Sequence, residues 1–289
     1  MRPKLTLVLG GGGNRGIAHI GVLEVLHREG IPIDMIVGTS MGAIIGTLYA
    51  YGIDPGDIYE NMSSSKGSNI FSMNLFSARA RQKSVEEQLK VAFDGKTFAD
   101  LKIPTAIIAV DMLNGEEIAL TEGELIPAIL ASSAVPAVFP PVMIDGRELA
   151  DGGVIDSLST GVAYKLGADK IIAVDVYPPL EKDDPWIDPI SAIMGFEISF
   201  PLNINISAWS RTPGMLSSMW RSFRVMAWHV HEERLLNHPP DVLLRPNVHN
   251  YGSLDFTDTQ GPYIAGRLEA EEQLDNIKAL LNMTAENSG

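Results

Sequence analysis

The stretch Ile33-Asp34-Met35-Ile36-Val37-Gly38-Thr39-Ser40-Met41-Gly42-Ala43-Ile44-Ile45 decides the fold. Ile33–Val37 is a short apolar run and reads as a buried strand. Ala43–Tyr51 is apolar nearly throughout and reads as a helix. Between them stands Gly38-X-Ser40-X-Gly42, the setting of a nucleophile elbow, where a sharp turn lifts a serine hydroxyl clear of the sheet. Glycines on either side remove Cβ atoms that would collide with the neighbouring strand and helix. The Met41 amide, first in the helix, then faces the site and can stabilise an oxyanion. The plainer alternative is a turn with Ser40 as helix N-cap.

Upstream, Leu5–Leu9 is a second buried strand, and helical spacing follows its glycines from Ile17 to His27, stopping at Gly30. Downstream, strands are expected at Thr105–Val110, ending near Leu149-Ala150, at Lys170–Val174 and at Asp241–Arg245, mostly separated by helical patterns. Such alternation implies an α/β fold with a mostly parallel central sheet covered on both faces. Gly261–Met283 reads as a terminal helix with Ile264, Leu268, Leu274, Ile277 and Leu281 on one face.

Two stretches break the rhythm. Asn61–Ser84 is rich in serine yet carries Phe71, Met73, Leu75 and Phe76, and Pro178–Pro240 holds Trp186, Trp209, Trp220 and Trp228. Met215, Leu216, Met219, Trp220, Phe223, Met226 and Val230 fall on one side of a helix there. Packing against the core is the preferred reading. The sharper one is a lipid-facing cap, with Trp220 and Phe223 forming one wall of an acyl pocket and Phe71 and Phe76 the other. With no internal repeat, residues 1–289 are expected to form a single domain, with 178–240 as its apolar cap or insertion.

Composition narrows the field. The 289 residues carry a net charge of −14, which argues against nucleic acid and against electrostatic docking on anionic lipid. Any peripheral membrane contact is expected to be apolar and local. There is no cysteine, so thiolate nucleophiles, disulfides and Cys-based zinc sites are excluded. No metal and no cofactor enters the expected chemistry. The run Leu5–Leu9 is too short for a signal peptide, and no stretch reaches the ~18 apolar residues of a membrane span. A cytoplasmic protein, peripheral at a membrane at most, is the expectation, and the oligomeric state is left open.

Gly11-Gly12-Gly13-Asn14-Arg15-Gly16 matches the G-x-G-x-x-G of dinucleotide folds. That fold wants an acidic residue at the end of the second strand to hold a ribose, and here that position is the serine elbow. The loop is better read as an oxyanion hole. Consecutive glycine amides at Gly11, Gly12 and Gly13 can converge on a developing alkoxide beside a helix N-terminus, with Arg15 steadying the loop or adding charge.

None of the six histidines sits at a strand end with an adapted turn, whereas Asp111, Asp151 and Asp175 do. In a parallel sheet those ends share an edge with Ser40. Only Asp151 is followed by two glycines, which leave room for its carboxylate beside the serine; capping is preferred for Asp111 and Asp175.

Together these residues resemble the patatin-like phospholipase family, from roughly Leu5 to Val176 with a weaker echo after Asp241. The resemblance rests on Gly11–Gly16, Gly38–Gly42 and Asp151-Gly152-Gly153 in order, with Ala131–Pro136 through Phe139-Pro140-Pro141 as a fourth stretch. It implies a three-layer α/β/α fold and a Ser–Asp dyad without histidine. In that dyad Ser40 attacks an ester carbonyl, Asp151 takes its proton, and the loop at 11–16 holds the oxyanion. Lipid acyl esters are the implied substrates. An acyltransferase using the same acyl-serine and a catalytically silent lipid-binding module are the competing functions. The chain departs from the family at Val154–Ser159, where asparagine and proline are common. Asp156 is expected there to raise the pKa of Asp151 by like-charge repulsion.

Overall fold

The computed structural model describes residues 2–64, 77–136, 138–180, 215–253 and 255–282. In chain order the elements are β1 (Leu5–Leu9), a 3-10 turn (Gly13–Ile17), α1 (Ala18–Arg28), β2 (Met35–Thr39), α2 (Met41–Tyr51), α3 (Pro55–Ser63) and α4 (Ala78–Phe93). Then come β3 (Thr105–Asp111), β4 (Glu117–Leu120), α5 (Leu125–Ser132), β5 (Val142–Ile144), β6 (Arg147–Asp151), α6 (Thr160–Lys165) and β7 (Lys170–Val174). The last are α7 (Met215–Asn237), β8 (Val242–Leu244), α8 (Gln260–Glu272) and α9 (Leu274–Leu280).

The fold is a three-layer α/β/α sandwich. β1 and β3 are buried at every position, as strands with helices on both faces must be. The sheet runs β5-β6-β3-β2-β1-β7-β8, with β4 also paired to β3. β8, β7, β1, β2 and β3 run parallel to one another; β4 and β6 pair antiparallel with β3, and β5 antiparallel with β6. The larger core cluster joins α1, α2 and α4 to one face, and a second, around Val8, Val37, Ile108 and Leu158, lies on the other. β2 begins at Met35 rather than Ile33, because Asp34 turns its carboxylate onto the Leu5 N–H and the Arg2 guanidinium.

Register at β3 positions the site. β3 pairs with β2 through Ile36↔Thr105 to Thr39↔Ile108. Ala109 and Val110 each pair with both β4 and β6, so β4 and β6 lie on opposite sides of β3. Ile107 and Ile108 pair with both β2 and β4, so β2 also lies opposite β4. It follows that β6 takes over the side of β3 that β2 vacates at its elbow.

The carboxyl-terminal segment is two helices, broken at Gln273, where one was expected. α8 packs through Pro262, Gly266 and Ala270, while Leu268 is 55% exposed. The cause is close approach to α1. A Cβ on Gly266 would stand 1.9 Å from the Ala18 carbonyl oxygen, and one on Gly21 would stand 2.1 Å from that of Tyr263. Only small residues fit that contact, so a large apolar stripe is the wrong pattern for it.

Candidate active site

Ser40 sits where β2 breaks into α2, with φ 54° and ψ −118°. For a residue with a Cβ this is a strained conformation, costing on the order of 1–3 kcal/mol, and it persists because its surroundings over-determine it. The Ser40 N–H donates to Ser132 Oγ at 2.9 Å, and its carbonyl accepts from Ala43 and Ile44 at 3.0 and 3.1 Å. A Cβ at Gly42 would lie 2.1 Å from the Leu9 carbonyl oxygen, and one at Gly38 would lie 2.7 Å from Ala43 Cα. These two glycines are what let the turn fold against the sheet. Ser132, fully buried at the end of α5, carried no signal beyond its place in the stretch before Asp151.

Asp151 ends β6 and is buried, and its Oδ1 accepts the Gly153 N–H at 2.8 Å. Burial is the dominant influence on it and pushes its carboxyl up to about 6; hydrogen bonds from the Ser40 side chain and the Gly153 N–H pull the other way. Gly152 is required because a Cβ there would lie 2.9 Å from the Ile108 carbonyl oxygen. Asp151 does not arrive from the end of a parallel strand, as expected, but from antiparallel β6 continuing along β3.

Asp156 does not crowd Asp151. Its Oδ1 accepts the Leu158 N–H at 3.0 Å and its Oδ2 an Arg234 N–H at 3.1 Å, so the expected like-charge effect is replaced by burial. Asp111 caps its own turn through the Leu113 N–H at 2.9 Å, as preferred for it. Asp175 does more than cap. It accepts the Tyr177 N–H at 3.0 Å, meets His231 Nε2 at 3.2 Å, and accepts Arg245 Nε at 3.1 Å. Burial works against its ionisation, but these partners hold its pKa below the usual carboxylate value. The pairing was invisible in the sequence because it depends on α7 folding back over the end of β7. His19 is buried and bonds the Gly10 carbonyl through Nε2 at 2.7 Å; burial lowers its pKa to about 4, so it is neutral at physiological pH.

The glycine loop lies against the elbow: a Cβ on Gly11 would sit 3.3 Å from Ser40 Cβ. Its amides are unequal. The Gly11 N–H is already donated to the Ser157 carbonyl at 2.9 Å, and that of Asn14 to the Ser253 carbonyl at 2.8 Å. The Gly12, Gly13 and Met41 N–H groups stand at the starts of the 3-10 turn and of α2, where helices leave amides without internal carbonyl partners. Arg15 anchors the loop, its Nε donating to the Tyr251 carbonyl at 2.7 Å. Gly13 holds φ 57°, and a Cβ there would lie 1.9 Å from the Ser253 carbonyl oxygen.

A largely apolar cleft opens beside Ser40, lined by Met41, Ile44, Val85, Leu130, Val135, Phe139 and Phe256, with Gln82 and Ser133 as its polar side chains. Phe71 and Phe76 lie outside the described residues, as does the Trp220 side chain. Phe223 stands 38% exposed on α7 and is not among the described residues lining the cleft. Among the described residues the walls come from α2, α4 and α5 together with Val135, Phe139 and Phe256.

Comparison with known proteins follows the same lines. The family model described as patatin-like phospholipase matches residues 7–164, more than half of the chain. The protein named lysophospholipase nte1 from Emericella nidulans is 30% identical over 289 residues, covering 94% of this chain and 18% of the relative. Lysophospholipase NTE1 from Phaeosphaeria nodorum is 32% identical over 269 residues, covering 90% and 18%. The chain thus spans less than a fifth of the length of these curated relatives. VipD from Legionella pneumophila, a crystal structure, shares the fold with a TM-score of 0.52 at 13% identity, over 95% of this chain and 67% of that one.

Proposed function

Because the chain belongs to the patatin-like phospholipase family, we propose that it is a serine hydrolase of lipid acyl esters, with Ser40 as nucleophile and Asp151 as its base. The observation that carries this reading is Ser40 on a strained elbow, paired with a buried carboxyl raised to about 6, at the mouth of an apolar cleft.

In this mechanism Asp151, ionised near neutral pH, takes the proton of Ser40 Oγ as that oxygen attacks the ester carbonyl. A base with its pKa near the working pH balances availability against driving force. The tetrahedral oxyanion is held by the N–H groups of Gly12, Gly13 and Met41, aided by the dipole of α2. Gly11 contributes by holding the loop to Ser157. Collapse breaks the ester C–O bond, and the leaving alkoxide takes the proton from Asp151. Water, deprotonated by the same carboxylate, then attacks the acyl-serine; the acyl C–Oγ bond breaks, Asp151 returns the proton to Ser40 Oγ, and the fatty acid is released. The acyl chain occupies the cleft, where each buried methylene contributes about 0.8 kcal/mol.

Lysophospholipids are the preferred class, in keeping with the names of the relatives. Residues 178–240 are taken as an insertion between adjacent strands β7 and β8 of a single domain. Among the described residues no helix is long and apolar enough to cross a membrane. Fatty-acid release from lysophospholipids, diacyl phospholipids and neutral glycerides tests the reading. Turnover of lysophospholipid above the others supports it, and no release from any of them contradicts it.

A further inference from the structure

α7 exposes several large apolar side chains while burying part of its polar complement. Two of its polar groups near the middle are turned toward the body of the protein: Arg224, half-buried, donates to the Pro179 carbonyl at 3.3 Å, and His231, 4% exposed, meets Asp175 at 3.2 Å. One turn on, Arg234 bridges Glu117 and Asp156. The outward side exposes Val225 at 42%, Met226 at 60% and Val230 at 39%, with Ser222 and His229 exposed beside them. Burial of large apolar side chains is the default, so a helix that faces its arginine inward and its methionine outward calls for a partner.

Charge identifies the partner. From Ile198 to His231 there is no aspartate or glutamate, in a chain that contains 36 of them. Elsewhere the acidic surface would repel anionic headgroups. Over the middle of α7 nothing does, and methionine-bearing surfaces adapt to disordered acyl chains. Position agrees with charge. The contacts of Arg224 and His231 fix α7 along the segment Asp175–Pro179, which leaves the same edge of the sheet that carries Ser40. Val176 in that segment packs where a Cβ on Gly12 would stand, 2.6 Å from Val176 Cγ2. Arg234 grips Asp156, whose neighbour Ser157 exchanges two hydrogen bonds with Gly11.

We propose that the outward face of α7 around Val225, Met226 and Val230 docks on a lipid surface, setting the edge of the sheet that carries Ser40 against the aggregate that supplies substrate. This rests on the lipid-ester reading above but involves different side chains. Binding is by apolar insertion and is therefore insensitive to salt.

The test is co-sedimentation of the full chain with phosphatidylcholine vesicles at low and high salt. It compares wild type, Ser40→Ala and the triple variant Val225→Glu/Met226→Glu/Val230→Glu. Wild type and Ser40→Ala should bind equally at both salt concentrations. The triple variant should bind at least tenfold more weakly, while keeping wild-type turnover of a short soluble ester. If the triple variant does not fold, Met226→Glu alone should still weaken binding several-fold. Equal binding by the variants, or no binding by wild type, overturns the proposal. So does a lipid-free dimer that the triple variant dissolves, which would make the face a contact between copies. Failure of the ester-hydrolase reading is seen separately, as short-ester turnover that survives Ser40→Ala while vesicle binding is unchanged.

Discussion

Ser40 and Asp151 meet because they are delivered to one side of β3 at consecutive positions. Thr39, the residue before Ser40, pairs with Ile108, and Asp151 pairs with Ala109. Where β2 turns away at its elbow, β6 enters from the opposite direction and fills the vacated side. The two side chains come from strands of opposite sense more than a hundred residues apart, yet pairing to one strand brings them together. That arrangement suits the proposed two-residue system, in which no histidine would span a gap between base and nucleophile.

Asp151, the proposed base, is held at a cost to the fold. Asp151 has its pKa raised from 3.8 to about 6, mainly by burial, so the folded state binds the extra proton between those values. The destabilisation is therefore absent below about pH 3.8, sets in as pH rises, and is complete above about pH 6, reaching about 3 kcal/mol. Asp151→Asn should lose nearly all ester hydrolysis yet be more stable than wild type at pH 8, and closer to it at pH 4. Denaturant unfolding at the two pH values checks this; a stability difference independent of pH counts against it.

Activity should follow the same group. With Asp151 required as the ionised base, kcat/KM should rise with pH through a limb near 6 and then level off. A limb near 3.8, measured on a short soluble ester, would mean that the base is another, solvated carboxylate.

Ser132 is expected to act through the elbow rather than on the substrate. Ser132→Ala leaves the Ser40 N–H without its acceptor, at a stability cost of about 1–3 kcal/mol, and frees the strained turn to relax. Steady-state kinetics should show kcat falling with little change in KM. Ser132→Thr, which keeps the oxygen, should recover part of the loss; equal kcat in wild type and Ser132→Ala would remove the residue from the account.

The glycine loop offers a fourth test. Gly13→Ala places a Cβ 1.9 Å from the Ser253 carbonyl oxygen at a positive φ, so the loop must shift. Displacing one oxyanion donor is worth about 10²–10³ in kcat, with KM nearly kept. Gly30→Ala, at a positive φ with open space around it, should leave kcat unchanged and serves as the control.

Much of this arrangement was legible in the sequence, for a physical reason. Strands such as Leu5–Leu9, buried on both faces, show as unbroken apolar runs, and the glycines at 38, 42 and 152 show as gaps that only close backbone contact explains. Other features depend on tertiary contacts that no local pattern encodes. Val85 and Leu130 gave no pocket signal in the sequence and come together beside Ser40 only through tertiary packing. The antiparallel course of β6 depends on β2 ending where it does. His231 finds Asp175 only because α7 returns over the sheet. The small-residue seam of Gly21 and Gly266 has the opposite pattern from the apolar stripe expected for the final helix.

The central claim is that Ser40 is the nucleophile and Asp151 its activator. A fluorophosphonate reacts with an activated serine and leaves a mass tag at the residue that attacked it, so peptide mapping after labelling tests both halves at once. The account predicts one tagged peptide containing Ser40 in wild type, no tag in Ser40→Ala, and labelling slowed by at least two orders of magnitude in Asp151→Asn. A tag on any other residue, or an undiminished rate in Asp151→Asn, would contradict it.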